Sequence, residues 1–259
     1  MLAIDSVLVL NNRLRLPQLG LGTWQIPNGQ PVIQATAWAL AAGYRHIDTA
    51  RFYQNELGVG EAVKQSGLPR EQIWVTTKLW PTDQLNAAKA FSGSLERLGL
   101  GYVDLYLVHW PVPGLTTRVW KQMEAIYAAG QCRAIGVSNY STDQLKQVLA
   151  MAKVPPAVNQ IHLSPFNSQP ELVKFCQDHQ IAVEAYSPLT HGQHLTHPAV
   201  QAVADKHRKS TAQVLIRWGL QQGFAVLPKS SHQGRIIENS QVYDFELSVQ
   251  DFKQLDALS

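Results

Sequence analysis

Short apolar or β-branched runs alternate with longer segments of helical spacing along nearly the whole chain. The runs are QLGLGT (18–23), HIDT (46–49), WVTTKL (74–79), VDLYLVH (103–109), AIGVS (134–138), AVNQIH (157–162), AVEAYS (182–187) and AVLPKS (225–230). Each reads as a β-strand candidate. Between them lie PVIQATAWALAAG, NELGVGEAVKQSG, NAAKAFSGSLERLG and TDQLKQVLAMA, whose apolar residues recur at helical intervals. Capping boxes at Ser141-x-x-Gln144, Ser168-x-x-Glu171 and Ser210-x-x-Gln213 predict helix starts. Gly43, Gly67, Gly99 and Gly130 predict helix ends. Ahead of all this, VLVLNNRLRLP reads as a β-hairpin, with Asn11 and Asn12 taking the positive φ of a tight turn.

Eight βα units with short connections and no linker-like segment predict a single α/β domain over 1–259, a parallel (β/α)8 TIM barrel. The hairpin would close its bottom. A doubly wound open sheet is the competing fold. Against it, no glycine-rich fingerprint joins a first strand to its helix: GLGTW lacks the third glycine, and GVGEAV follows a loop.

Composition narrows the choice further. The chain has 259 residues, 45% of them hydrophobic, enough for a large core, and the net charge of +3 is mild. Lys and Arg are scattered, so nucleic acid is not expected as a partner, while an anionic cofactor would suit the slight basicity. Cys132 and Cys176 stand far apart and outside any metal pattern, a usage that fits a reducing compartment rather than a disulfide. The N-terminus carries Asp5 and only a four-residue apolar run, unlike a signal peptide. No stretch approaches the ~20 apolar residues of a membrane span. A cytoplasmic monomer, with neither membrane nor nucleic acid as partner, is expected.

In such barrels reactive groups gather beyond the C-terminal strand ends. Asp48 ends the second strand candidate and Tyr53 follows on its loop; Lys78 ends the third and His109 the fourth. A free tyrosine titrates near ~10, and lowering it by 2–3 units takes about 3–4 kcal/mol. A lysine ammonium ~4 Å away supplies roughly that at an effective dielectric of about 20. The set therefore reads as a relay: Tyr53 donates a proton, Lys78 tunes it, Asp48 holds Lys78, and His109 orients a substrate oxygen. Such a set protonates a developing alkoxide. It is no nucleophile system, since no Ser or Cys sits in an elbow motif.

GYRHIDTARFYQNE, TTKLW, VDLYLVHWP, GVSNY, NQIHLSP, AYSPL and LPKSSHQGRIIEN fall in the order seen in the aldo-keto reductase superfamily, and together the chain resembles it from Gly20 to Asn239. NQIHLSPF and the short loop after His109 are most similar to the bacterial 2,5-diketo-D-gluconate reductase branch, which includes methylglyoxal reductases. The resemblance implies reduction of a small carbonyl substrate by hydride from NADPH, with Asp48, Tyr53, Lys78 and His109 as the catalytic tetrad. It also implies that Ser138, Asn139 and Gln160 hold the nicotinamide carboxamide and that Tyr186 stacks on the ring. Thr23, Ser187 and Leu189 fall at further cofactor positions. Lys229, Ser230 and Arg235 match the grip on the 2′-phosphate, with Glu238 and Asn239 near the adenine. Two cations and a hydroxyl beside a helix start agree with an anion site. Trp24, Phe52, Trp80 and Trp110, with His109, are expected to line the substrate mouth.

Four features depart from the family pattern. Arg51 stands where relatives often have an uncharged residue, at the rim or facing the mouth. His162 replaces an acid or apolar residue, and either lines the pocket or packs inertly. His191, His194 and His197 recur at three-residue intervals, but without nearby carboxylates or cysteines, and no metal is expected. The chain ends at Ser259, where many relatives continue into a tail over the pocket, so a more open site is expected. Two alternatives remain at this point: a nicotinamide-binding sensor or regulatory subunit on the same barrel, and a different barrel enzyme such as an isomerase or hydrolase.

Overall fold

The computed structural model describes residues 2–259. β1 (Val7–Val9) and β2 (Arg15–Pro17) form the antiparallel hairpin, with Val7 opposite Pro17 and Val9 opposite Arg15. Its left-handed residue is Arg13, at φ 68°, rather than either asparagine. Leu10 exchanges backbone hydrogen bonds with Leu14 and Arg13, so the loop has three residues, a common hairpin closure. The asparagines do other work: the side-chain amides of Asn11 and Asn12 donate to the carbonyls of Pro156 and Arg133. They tie the hairpin to the barrel. Leu10 and Leu16 then pack against Trp74, Leu105, Leu107 and Val158, plugging the lower end of the barrel.

Eight parallel strands follow in sequence order: β3 (Leu21–Gly22), β4 (His46–Asp48), β5 (Trp74–Leu79), β6 (Val103–Val108), β7 (Cys132–Ser138), β8 (Val158–His162), β9 (Ala182–Tyr186) and β10 (Ala225–Leu227). Parallel bridges Leu19–Val226 and Gly22–Lys229 connect the last strand to the first, so the sheet curls into a barrel. Helices alternate with the strands: α1 (Gln30–Ala41), α2 (Glu56–Gln65), α3 (Ala87–Leu98), α4 (Thr116–Ala128), α5 (Thr142–Leu149) and α6 (Pro170–Asp178) each follow one strand. α7 (Pro198–His207) and α8 (Thr211–Gln221) both follow β9, and α9 (Gln233–Ser240) and α10 (Val249–Asp256) close the chain.

The capping boxes at Ser141 and Ser210 form as expected. The one at Ser168 does not. Gln169, left-handed at φ 44°, precedes Pro170 at the start of α6, and the Ser168 hydroxyl instead donates to Ser259 Oγ at 2.9 Å. A box that the sequence reading passed over, Ser248 with Asp251, starts α10. Gly43, Gly67, Gly99 and Gly130 all have positive φ at or just beyond helix ends. No helix among the described residues is long and apolar enough to cross a membrane.

Strand alternation decides what fills the barrel. Residues two apart share a face, so Trp74, Thr76 and Lys78 of β5 point one way, as do His46 and Asp48 of β4 and Glu184 and Tyr186 of β9. Hydrogen bonds between these side chains show that the shared direction is the barrel interior. The lower interior is apolar. The upper interior is polar and opens beyond the C-terminal strand ends.

Candidate active site

A cleft of about 940 Å³ opens there, and Asp48, Tyr53 and His109 line it. Lys78 lies behind them, fully buried. Its ammonium donates to Asp48 Oδ1 at 2.6 Å, to the Thr49 carbonyl at 2.9 Å and to Tyr53 Oη at 3.3 Å. All three hydrogens of the ammonium therefore have acceptors. Burial alone would lower Lys78, but Asp48 and then Tyr53 hold it above its usual range. Burial raises Asp48 against the pull of Lys78.

Tyr53 departs from the expectation that a neighbouring lysine lowers it. Burial pushes its hydroxyl up to about 12, Lys78 opposes this, and Asp48 adds to it. The ammonium limits the rise rather than reversing it, because the hydroxyl loses solvation along with gaining a cation. Burial and then Lys78 push His109 down to about 2, so its ring is neutral. The backbone of His109 is held at both ends: its N–H donates to Leu79 O at 3.0 Å and its carbonyl accepts from Asn139 Nδ2 at 3.0 Å.

A polar shelf continues from this floor. Ser138 Oγ donates to the Gln160 carbonyl at 2.8 Å, Asn139 Nδ2 also reaches Ser138 Oγ, and Tyr186 Oη donates to Asn139 Oδ1 at 2.9 Å. Ser138, Asn139, Gln160, Tyr186, Ser187 and Leu189 all line the cleft. Thr23 does not. It is fully buried, and its hydroxyl donates to the Asp48 carbonyl at 2.9 Å. At the far end lie Lys229, Ser230, Arg235, Glu238 and Asn239. Neither Lys229 nor Arg235 is in an ion pair among the described residues. Two unneutralised cations therefore flank that part of the cleft, next to the start of α9.

The mouth is aromatic. Phe52 stacks on Trp80 at 3.8 Å between ring centres, and Trp80 meets His109 edge-on at 5.2 Å. Trp24, Phe52 and Trp110 stay 39%, 48% and 43% exposed, unusual for large apolar side chains. His162 lines the cleft with its ring stacked on Tyr186 at 5.6 Å. Arg51 is exposed and does not line it. The three spaced histidines diverge. His191 meets Trp24 edge-on, His194 stacks on Phe166, and His197 accepts the Ala199 N–H at the start of α7.

Some contributors escaped the sequence reading. Ser210, Thr211 and Ala212, at the start of α8, line the cleft, as do His191 and Leu195. Beneath the floor, Glu184 accepts from Gln160 Nε2, which also donates to Asp48 Oδ2 at 2.8 Å. The signal for Glu184 was present: it is the lone charge inside the apolar run AVEAYS.

Comparison with known proteins identifies the family of the chain. The model of the aldo/keto reductase family matches residues 18–259. A 9,11-endoperoxide prostaglandin H2 reductase of Trypanosoma cruzi (strain CL Brener) is 46% identical, over 98% of this chain and 92% of its own length. A glyoxal reductase of Bacillus subtilis (strain 168) is 42% identical, over 99% of this chain and 94% of its own. The crystal structure of an aldo/keto reductase from Brucella melitensis superposes with a TM-score of 0.93 at 44% identity, covering 98% of this chain and 99% of that one. The chain belongs to the aldo/keto reductase family of oxidoreductases.

Proposed function

We propose that the protein reduces aldehydes and ketones to alcohols with NADPH, Tyr53 supplying the proton. The observation that carries this is the buried chain Asp48–Lys78–Tyr53, which ends in a hydroxyl on the floor of an open cleft. Because Tyr53 is held near about 12, it is protonated at neutral pH and ready to donate. As the carbonyl oxygen gains negative charge, the proton moves to it from Tyr53 Oη, and the Lys78 ammonium, already aimed at that oxygen, stabilises the tyrosinate left behind. His109 is neutral and is no competing acid. Its buried Nδ1 has no partner among the described residues, so a hydrogen on Nε2 leaves a lone pair rather than an N–H unsatisfied. Nε2 then donates to the substrate oxygen and orients it.

The remaining residues fit an elongated anionic cofactor. When bound, NADPH supplies the hydride to the carbonyl carbon. Ser138, Asn139 and Gln160 would hold its carboxamide and Tyr186 would cover its ring, with Ser187 and Leu189 alongside. Lys229, Ser230 and Arg235 would hold the 2′-phosphate, and Glu238 and Asn239 the adenine. Thr23 would act from behind, by fixing the Asp48 backbone. Trp24, Phe52, Trp80 and Trp110 would form an apolar collar over the polar floor, suited to small aldehydes and dicarbonyls such as methylglyoxal or 2,5-diketo-D-gluconate. The test is the loss of NADPH absorbance with a panel of such carbonyls. Tyr53→Phe is expected to lower turnover by several orders of magnitude while NADPH binding survives. Turnover like the wild type in that variant would overturn the assignment.

A further inference from the structure

Glu184 lies in the middle of β9, its side chain wholly buried. One N–H of Gln160 goes to it and the other to Asp48. With both donors of the amide committed, Gln160 has only its Oε1 left to present to the cleft it lines. The second carboxyl oxygen of Glu184 is buried without a hydrogen-bond partner among the described residues. These contacts link β9 to β4 through β8, across the barrel and directly beneath the tetrad. The proposed catalysis makes no use of Glu184.

We propose that Glu184 is a positioning residue: it locks the Gln160 amide with its carbonyl oxygen toward the cofactor, and through its own ionisation it governs how firmly Asp48 and Lys78 hold the Tyr53 proton. This rests on the reductase reading above. Two carboxyls bridged by one amide in a dry interior resist ionising together. The groups facing Glu184 are Asp48 and His46 on β4, the latter with Nε2 3.8 Å away, and Lys78 on β5. Its neighbours in the sheet are the neutral Gln160 and the apolar Ala225. Burial, then the Asp48 charge, push Glu184 up to about 8, with Gln160 and Lys78 opposing. Near neutral pH it is an uncharged carboxyl, and Asp48 alone pairs with Lys78. On the alkaline side a second negative charge forms below the site. It strengthens the ammonium and, like the Asp48 charge, makes the Tyr53 proton harder to release, so reduction slows.

The experiment compares wild type with Glu184→Gln, which keeps an acceptor for Gln160 but cannot ionise. Wild-type kcat is expected to fall with an apparent pKa near about 8, and the variant's alkaline limb to move up by at least about one pH unit. An unmoved limb overturns the proposal. Glu184→Leu, which lacks the acceptor, is expected to raise the Kd for NADPH about tenfold, and Glu184→Gln to restore most of that affinity. Equal affinities in the two variants would refute the lock. A third readout needs no turnover. A carboxyl that titrates near about 8 when folded and ~4.5 when unfolded binds more protons in the folded state, so stability declines as pH rises through that window. The Tm advantage of Glu184→Gln over wild type should therefore grow between about pH 5 and 9; a constant difference would mean that Glu184 does not titrate. If Glu184→Gln does not fold, wild type decides alone: kcat flat to about pH 10 excludes the control. A wild type that reduces no carbonyl overturns the reductase reading and the catalytic part of this one. The Tm comparison then still reports the proton on Glu184.

Discussion

At Tyr53 burial and the Lys78 ammonium pull the hydroxyl in opposite directions, and burial prevails, holding it near about 12. The contest is resolved in favour of a tyrosine that keeps its proton at neutral pH, as the proposed donor must. Arg235 is the opposite kind of residue: exposed, without an acidic partner among the described residues, and on the proposed reading held for a phosphate. A charge-assisted hydrogen bond is worth roughly 1.5–3 kcal/mol. Arg235→Ala should thus weaken NADPH about tenfold to a hundredfold and leave NADH nearly unchanged, as fluorescence titration of the two cofactors would show. The difference should shrink as ionic strength rises. Equal losses for both cofactors would mean that Arg235 does not read the 2′-phosphate. The convergence of Asp48, Tyr53, Lys78 and His109 was legible in the sequence because ionisable residues at three successive strand ends, with a tyrosine on the first loop, are hard to explain by packing. Glu184 was less so, because only a closed barrel turns a mid-strand acid toward Asp48.

The loop from Asp48 to Glu56 shows how an element holds such residues. Tyr53 ends a single 3-10 turn, and Gln54 after it is left-handed at φ 57°. Thr49 donates to Asn55 Oδ1 at 2.7 Å, and Asn55 Nδ2 reaches the carbonyls of Thr23 and Ile26. Glu56, buried at the start of α2, accepts from Thr77 at 2.6 Å and from Arg97 at 2.7 Å. Half of D-T-A-x-x-Y-x-N-E is therefore scaffold, which spacing alone does not reveal. The same helix explains GVGEAV, a glycine pattern with no phosphate to bind. A Cβ on Gly60 would lie 1.9 Å from the Leu98 carbonyl oxygen, so α2 meets the end of α3 only because Gly60 has no side chain. The obstacle is backbone, and no rotamer change relieves it. Gly60→Ala should cost about 1–3 kcal/mol or more, a Tm lower by roughly 2–4 °C per kcal/mol in a chain of this size. Gly234→Ala, in α9 with nothing within 4 Å of its added Cβ, should be neutral or slightly stabilising in the same melts.

At the scale of the whole molecule, the alternation of eight apolar runs with helices was enough to give the barrel, since short parallel strands need crossover helices and the arrangement repeats without a break. The hairpin turn lies at Asn11 and Asn12 as read, but Arg13 extends it to three residues and takes the positive φ, while the asparagines bond to the barrel, contacts invisible in a local pattern. What the barrel does to its interior charges has a consequence for the fold itself. His46 is pushed down to about 3 by burial, against the pull of the Pro17 backbone, and His109 to about 2. Both folded values lie below the unfolded ~6.5, so the unfolded chain binds more protons and stability falls as pH drops through that window. Glu184, up to about 8, and Asp48, also raised, act with the opposite sign: the folded chain binds more protons above about 4, and stability falls as pH climbs. Between about pH 4.5 and 6.5 the two effects offset one another; above about 6.5 Glu184 alone acts. Below about 4 a further loss begins at Asp251, a buried carboxyl that burial alone would raise but that Lys206, His207 and Ser248 hold well below its usual range. Thermal melts across pH should therefore give a flat-topped profile between about 4.5 and 6.5 that falls on both sides. A Tm that climbs steadily from about pH 6.5 to 8 would show that Glu184 is ionised in the folded protein.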